Sequence, residues 1–368
     1  MDLVYGDLVV DHMDLMDLMD LMDLMDLDLI DLDRMDLIDL DRMDLDLIDL
    51  DLDLMDLDLT VKCDYMAPTT HSCTMPLSTE EEWKRLAVLN KHPRDDRIQF
   101  QEEGHIYTVD GSRAGWVSCT KFLHEFFSEF HADTVIAKMM KSHNWPNSKY
   151  FGMTPEQIKK QWSDKATASS QAGTRMHLDI EHLYNAMPAS GFTLQEAVKG
   201  LILDNWSPVQ SPEWDYFCNF QISHVERNNL VPFRTEWLVF DPEHKLTGSI
   251  DMVFKKPDGT LAIYDWKRVE ETKTENRYQS GLGPVAHLPD TNYWHYTLQL
   301  NVYRYILQKH YGYTVSELAL VVLHPIHSSW RILALNIMDD EVMDMMAARA
   351  RALTVPGNDG SSPIVVLD

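Results

Sequence analysis

The sequence predicts an α/β (α+β) domain in which helices flank a mixed β-sheet. Two observations predict it. The stretches "FRTEWLVFD" and "TGSIDMVFKKPDGTLAIYDWKR" read as three strands joined by tight turns, and the amphipathic run "YWHYTLQLNVYRYILQKHYG" then leads to an apolar strand, "ELALVVLHP". A chain of 368 residues with 45% hydrophobic content can bury a sizeable core as one large domain or two smaller ones.

The elements follow in order. Residues 13–59 repeat Met-Asp-Leu and Asp-Leu units. A period of three fits neither a helix nor a strand, and the like charges repel, so residues 1–65 are expected to form a low-complexity acidic tail, disordered by composition. "STEEEWKRLAVLN", from Ser78, carries a helix cap and a helical pattern, and "RIQFQEEGHIYTVDG" alternates as a hairpin does. Helices are expected at about 118–130 and 132–143, at "TPEQIKKQW" with Pro155 in the first turn, from about 166 to 186, and near 193–205 and 212–229. After the three strands comes a long loop over 269–291, then the amphipathic helix, its strand, a strand near 329–336 and a last helix at 339–353. The folded domain is therefore expected over 78–353, with a helical part at 78–230, a sheet core at 231–353 and a C-terminal tail at 354–368.

Composition excludes several classes. The four cysteines (63, 73, 119 and 218) are scattered with no C-x-x-C, which argues against a disulfide scaffold, a zinc ribbon or an iron–sulfur cluster. No apolar run is long enough to span a bilayer. The N-terminus lacks the basic region of a secretory signal and is too acidic for an ordinary transit peptide, so a soluble, intracellular protein is expected, of unassigned compartment. The net charge of −27 lies mostly in residues 1–60, which hold 21 Asp and two Arg; the rest of the chain sums to −8. That body has no long-range attraction for nucleic acid, and any such binding must rest on local basic patches.

The chemistry concentrates in three places. In the hairpin, Lys256-Pro257-Asp258-Gly259 supplies the turn, and centring it on Asp258 puts Asp251 opposite Asp265, with Lys267 on the same face. Opposed carboxylates repel unless a cation neutralises them, and two such oxygens suit Mg²⁺ or Mn²⁺. Taken alone, the hairpin fits a surface ion-pair cluster equally well. In "GTRMHLDIEH", Gly173, His177 and Glu181 recur every four residues beside an apolar stripe of Met176, Ile180 and Leu183. His177 and His182 are five apart, and neither metalloprotease spacing, HExxH nor HxxEH, is present. In "LQLNVYRY", Gln299 and Tyr303 lie one turn apart, which by itself describes an ordinary amphipathic helix.

Together the pieces read G-x3-H-x3-E, G-x-x-D, D-x-K and Q-x3-Y, carried by Gly173, His177, Glu181, Gly248, Asp251, Asp265, Lys267, Gln299 and Tyr303. This order resembles the PD-(D/E)XK nuclease superfamily, and within it the RecB-like and mitochondrial genome maintenance exonuclease-like group with its viral and phage-type relatives. The resemblance covers about residues 98–350, and "GHIYTVDGSRAGWVSCTKFLHEFF" adds to it.

The resemblance implies a restriction-endonuclease-like core and a Mg²⁺-dependent deoxyribonuclease, with Mn²⁺ as a substitute, acting as an exonuclease on single strands or free ends in DNA repair, recombination or replication. It implies that His177, Asp251, Asp265 and the backbone carbonyl of Trp266 hold the metal, and that Lys267 is the catalytic lysine. Glu181 assists from its helix, while Gln299 and Tyr303 order the site and meet substrate phosphate. Some relatives carry a four-Cys iron–sulfur cluster, but this chain has no Cys after 218, so the cluster-free type is expected. Bases near the site, Arg175, Lys255, Arg268, Lys273 and Arg277, mark an expected DNA path, with Tyr278, Tyr293 and Trp294 beside it. The competing readings are a catalytically silent nucleic-acid-binding protein on this fold, an RNA nuclease, and a factor that binds histones or other proteins through its acidic tail.

Overall fold

The computed structural model describes residues 83–186 and 193–354. The acidic tail expected at 1–65, the helix start at Ser78 and nearly all of the expected C-terminal tail lie outside them.

Thr154 begins the longest element. Its hydroxyl accepts from the Gln157 N–H, the Gln157 side chain accepts from the Thr154 N–H, and Pro155 occupies the first helical position. From there one helix runs unbroken to Asn185, so the two segments expected around 155 and 166–186 are a single element. Nothing between Trp162 and Ala166 breaks it, because "SDK" contains neither Gly nor Pro.

In chain order the helices are α1 (Arg85–Leu89), α2 (Cys119–His124), α3 (Ala132–Lys141), α4 (Pro155–Asn185), α5 (Leu194–Leu203), α6 (Pro212–Phe220), α7 (Asn292–His310) and α8 (Asp339–Leu353). The strands are β1 (Ile98–Gln101), β2 (Ile106–Val109), β3 (Val117–Ser118), β4 (Val231–Asp241), β5 (Leu246–Lys255), β6 (Leu261–Lys267), β7 (Val315–Val322) and β8 (Arg331–Ala334). β1 and β2 form the expected hairpin, and the other six strands form one mixed sheet. β3, only two residues long, leaves no pattern in the sequence; it runs parallel to the start of β5.

Two apolar cores sandwich this sheet. On one face α2, α7 and α8 pack over Ile263, Leu261, Val253 and Ile250. On the other, α4, α5 and α6 pack over Met252, Phe254, Tyr264 and Trp266. A mixed sheet flanked by helices on both sides is the restriction-endonuclease-like architecture.

The ladders set the site. β4 runs antiparallel along one edge of β5. Along its other edge, β5 pairs with β3 at Leu246 and Thr247 and with β6 from Met252 to Lys255. Gly248 to Asp251 therefore have no ladder partner on that side, and the sheet splits there. The register Met252↔Tyr264 and Val253↔Ile263 is the one centred on Asp258, so Asp251 stands across from Asp265.

Candidate metal centre

The split in the sheet is filled by side chains. Asp251 Oδ2 takes the place of a ladder partner and accepts the Trp266 N–H at 3.1 Å. Beside it, a Cβ built on Gly248 would lie 2.6 Å from Tyr303 Cε1, so this position admits the tyrosine ring only because it is glycine. The Gln299 side-chain amide, one turn earlier on α7, donates to Thr120 Oγ1 at 3.1 Å and to the Tyr303 hydroxyl at 3.4 Å. Gln299 and Tyr303 thus pin α7 against α2 and β5.

Across from Asp251 on β4 stands Glu236, between the paired residues Thr235↔Met252 and Trp237↔Ile250. Its φ of 42° is left-handed, a conformation that costs energy for a residue with a side chain and clusters at functional positions. The pleat breaks here: Thr235 faces α4, where it meets Asn185, whereas Trp237 and Ile250 belong to the core under α7. Ser249 Oγ donates to Glu236 Oε2 at 2.9 Å and holds the carboxylate in place. Glu236 belongs to none of the four motifs in the sequence. An acid in the middle of the strand "FRTEWLVFD", away from its polar end at Asp241, is the signal the sequence offers.

His177 arrives from α4. Its Nε2 lies 3.0 Å from the Trp266 carbonyl, which can only accept, so Nε2 carries a proton in the neutral and the charged ring alike. That leaves Nδ1 facing Asp251 at 3.6 Å and Glu236 at 3.7 Å. Ligand atoms of His177, Glu236 and Asp251 all lie within 4.8 Å of one another. One imidazole nitrogen and two carboxylates converging this closely fit a small divalent cation. The Trp266 carbonyl, expected among the ligands, instead accepts from His177 Nε2 and orients the ring so that Nδ1 faces the carboxylates.

The electrostatics agree with a site shaped for a cation. Burial and the Asp265 carboxylate push Asp251 up to about 7. Burial pulls His177 down, but Asp251 and Glu236 outweigh it and raise the ring to about 9. Burial would also raise Glu236, yet the neighbouring His177 ring, 3.7 Å away, holds it below the usual range. Glu181, one turn beyond His177 on α4, is pushed up to about 7 by burial and by Glu236, against the pull of Lys84.

Asp265 and Lys267 complete the arrangement from β6. Lys267 Nζ lies 2.7 Å from Asp265 Oδ2, and both side chains are 5% exposed. The ammonium also sits 4.7 Å from the centre of the Tyr296 ring on α7. Asp265 therefore neighbours the His177–Glu236–Asp251 group and is matched by Lys267.

The residues expected along a DNA path are more dispersed. Arg175 is engaged by Asp179 and the Ser207 carbonyl and lies over the Trp206 ring. Arg268 pairs with Glu213 at 2.7 Å. Lys273 is half-buried in the loop before α7, Lys255, Arg277 and Tyr278 are exposed, and Trp294 Nε1 donates to the Thr274 carbonyl. No helix among the described residues is long and apolar enough to cross a membrane.

The sequence model of the PD-(D/E)XK nuclease superfamily matches residues 148–355, more than half of the chain. No curated protein matches. Among solved structures, the crystal structure of a candidate exonuclease from Eubacterium rectale is 10% identical with a TM-score of 0.26. The match covers 61% of this chain and 66% of that one, just under two thirds of its length. That of the protein SSO0001 is 10% identical with a TM-score of 0.21, covering 50% of this chain and 70% of that one.

Proposed function

The chain belongs to the PD-(D/E)XK nuclease superfamily, whose members generally use divalent metal ions, and from that premise we propose that it is a Mg²⁺-dependent deoxyribonuclease of the RecB-like group. Its substrate is DNA with single strands or free ends, which it trims as an exonuclease in repair, recombination or replication. The nuclease domain is taken as residues 78–353. The observation that carries the reading is the meeting, in one split of the sheet, of the His177–Glu236–Asp251 group with the buried Asp265–Lys267 pair.

When bound, the divalent ion supplies Lewis-acid polarisation of the scissile phosphate. The chain's own residues do the rest. His177 Nδ1, Glu236 and Asp251 would hold the ion, with the Asp265 carboxylate nearby. Lys267, held in place by Asp265, stabilises the charge that grows on the phosphoryl oxygens and orients the attacking water. A pre-placed ammonium in a dry pocket does this with little reorganisation, because Asp265 and Tyr296 already fix it. Gln299 and Tyr303 hold α7 against α2 and β5 and so keep the site in register. Gly173, one turn before His177, has open space where a side chain would stand, which leaves room for a strand to approach.

Side-by-side digestion of labelled DNA and RNA strands tests the substrate. The reading predicts Mg²⁺-dependent loss of DNA with RNA left intact; degradation of RNA alone contradicts it.

A further inference from the structure

A second cation already sits in this site, supplied by an arm that lies upstream of the family segment. Lys84 Nζ is 3.4 Å from Glu181 Oε1. The Glu181 side chain is 8% exposed and that of Lys84 is 47% exposed. Glu181 Oε1 has no hydrogen-bond partner among the described residues. In a carboxyl so placed, one turn from His177, burial and Glu236 disfavour the charged form, and the Lys84 ammonium favours it.

The arm that brings Lys84 is held firmly. The Leu86 N–H donates to Asn185 Oδ1 at 3.0 Å, and Asn185 Nδ2 donates to Thr235 Oγ1 at 2.9 Å, next to Glu236. Asn185, 2% exposed, thus ties the arm, the end of α4 and the strained position on β4 together. Arg85 adds bonds to the Asn185 carbonyl and to Asp204. On the other side Trp83 stacks on His182 at 3.9 Å, and His182 stacks on Trp206 at 3.5 Å. Lys84 therefore enters the site between two anchored neighbours, from a segment outside residues 148–355.

We propose that Lys84 is a positioning residue whose ammonium offsets the Glu181 carboxylate and keeps a divalent ion from binding there, so that this chain is built to work with one ion, at His177, Glu236 and Asp251. The inference rests on the metal-dependent reading above. It makes the arm around Lys84 part of the active site. It also gives Glu181, expected to assist the site from its helix, a partner within the chain.

Locating Mn²⁺ by anomalous scattering in crystals of the full-length protein tests this without reference to cleavage. The native protein is expected to show one ion, at His177–Glu236–Asp251. Lys84→Ala is expected to gain a second at Glu181, and Lys84→Arg to keep one. In solution, Lys84→Ala cleaves DNA about tenfold more slowly at the Mg²⁺ concentration that half-saturates the native protein, recovers at high Mg²⁺, and shifts from first toward second order in Mg²⁺. Two ions in the native protein, or one ion in Lys84→Ala, overturns the inference. Absence of Mn²⁺ from the His177 group overturns the metal-dependent reading and this inference with it, and is recognisable as that failure.

Discussion

Lys267 and Asp265 form a buried pair whose members depend on each other. Removing one partner of such a pair leaves the other as an uncompensated charge, at a cost of about 3–5 kcal/mol. Lys267→Ala is therefore expected to unfold at a lower temperature in EDTA, and added Mg²⁺ is expected to restore part of the loss, because a cation again faces Asp265. Calorimetry with and without Mg²⁺ checks this. As a proposed ligand, Glu236 should matter to binding: Glu236→Gln should weaken Mn²⁺ binding by at least about tenfold in titration, and unchanged affinity would remove it from the set. Asp251, Asp265 and Lys267 were legible because "KPDG" fixes the hairpin centre and hence the register of everything around it. Glu236 was not, since its place in the site depends on a left-handed φ and a break in the pleat that no periodicity encodes.

At the scale of elements, the sheet splits between β3 and β6 and α7 leans into the gap, where Gly248 accepts the Tyr303 ring. Gly248→Ala forces a contact of 2.6 Å with Tyr303 Cε1 and is expected to cost about 1–3 kcal/mol. Combining it with Tyr303→Leu should recover stability relative to the sum of the two single losses, since the clash disappears; strict additivity would show that ring and glycine do not meet. Most elements were readable from period and punctuation, α8 to the residue. α4 was not read as one helix because its apolar signal lapses between Trp162 and Ala166, although the chain there is helix-compatible. β3 escaped because its two residues are shorter than any period.

Across the whole molecule, a buried polar knot joins distant elements. Asp241 at the end of β4 binds His244 at 2.6 Å and His310, the last residue of α7, at 3.0 Å, while Arg349 of α8 donates to the His244 carbonyl. Burial would raise the Asp241 carboxyl, but hydrogen bonds from the two histidines hold it far below the usual carboxylate range. A depressed carboxyl stabilises the fold above its unfolded value of about 3.9 and loses that contribution as the pH falls below it. Acid unfolding should therefore steepen below about pH 4, and Asp241→Asn should lower stability at pH 7 while flattening that acid limb. Residues 1–60 carry most of the negative charge, and the described site begins only at the arm around Lys84. Deleting residues 1–65 is accordingly expected to preserve cleavage; loss of all activity in a folded truncation would place function in the tail.

The most direct measurement is cleavage of 5′- and 3′-labelled single- and double-stranded DNA with Mg²⁺, Mn²⁺ or EDTA, the Lys267→Ala protein alongside. The account predicts metal-dependent shortening from an end, silenced by EDTA and reduced by about 10²–10³-fold or more in Lys267→Ala. Intact DNA in the presence of folded, metal-replete protein, or equal cleavage by Lys267→Ala, would contradict it.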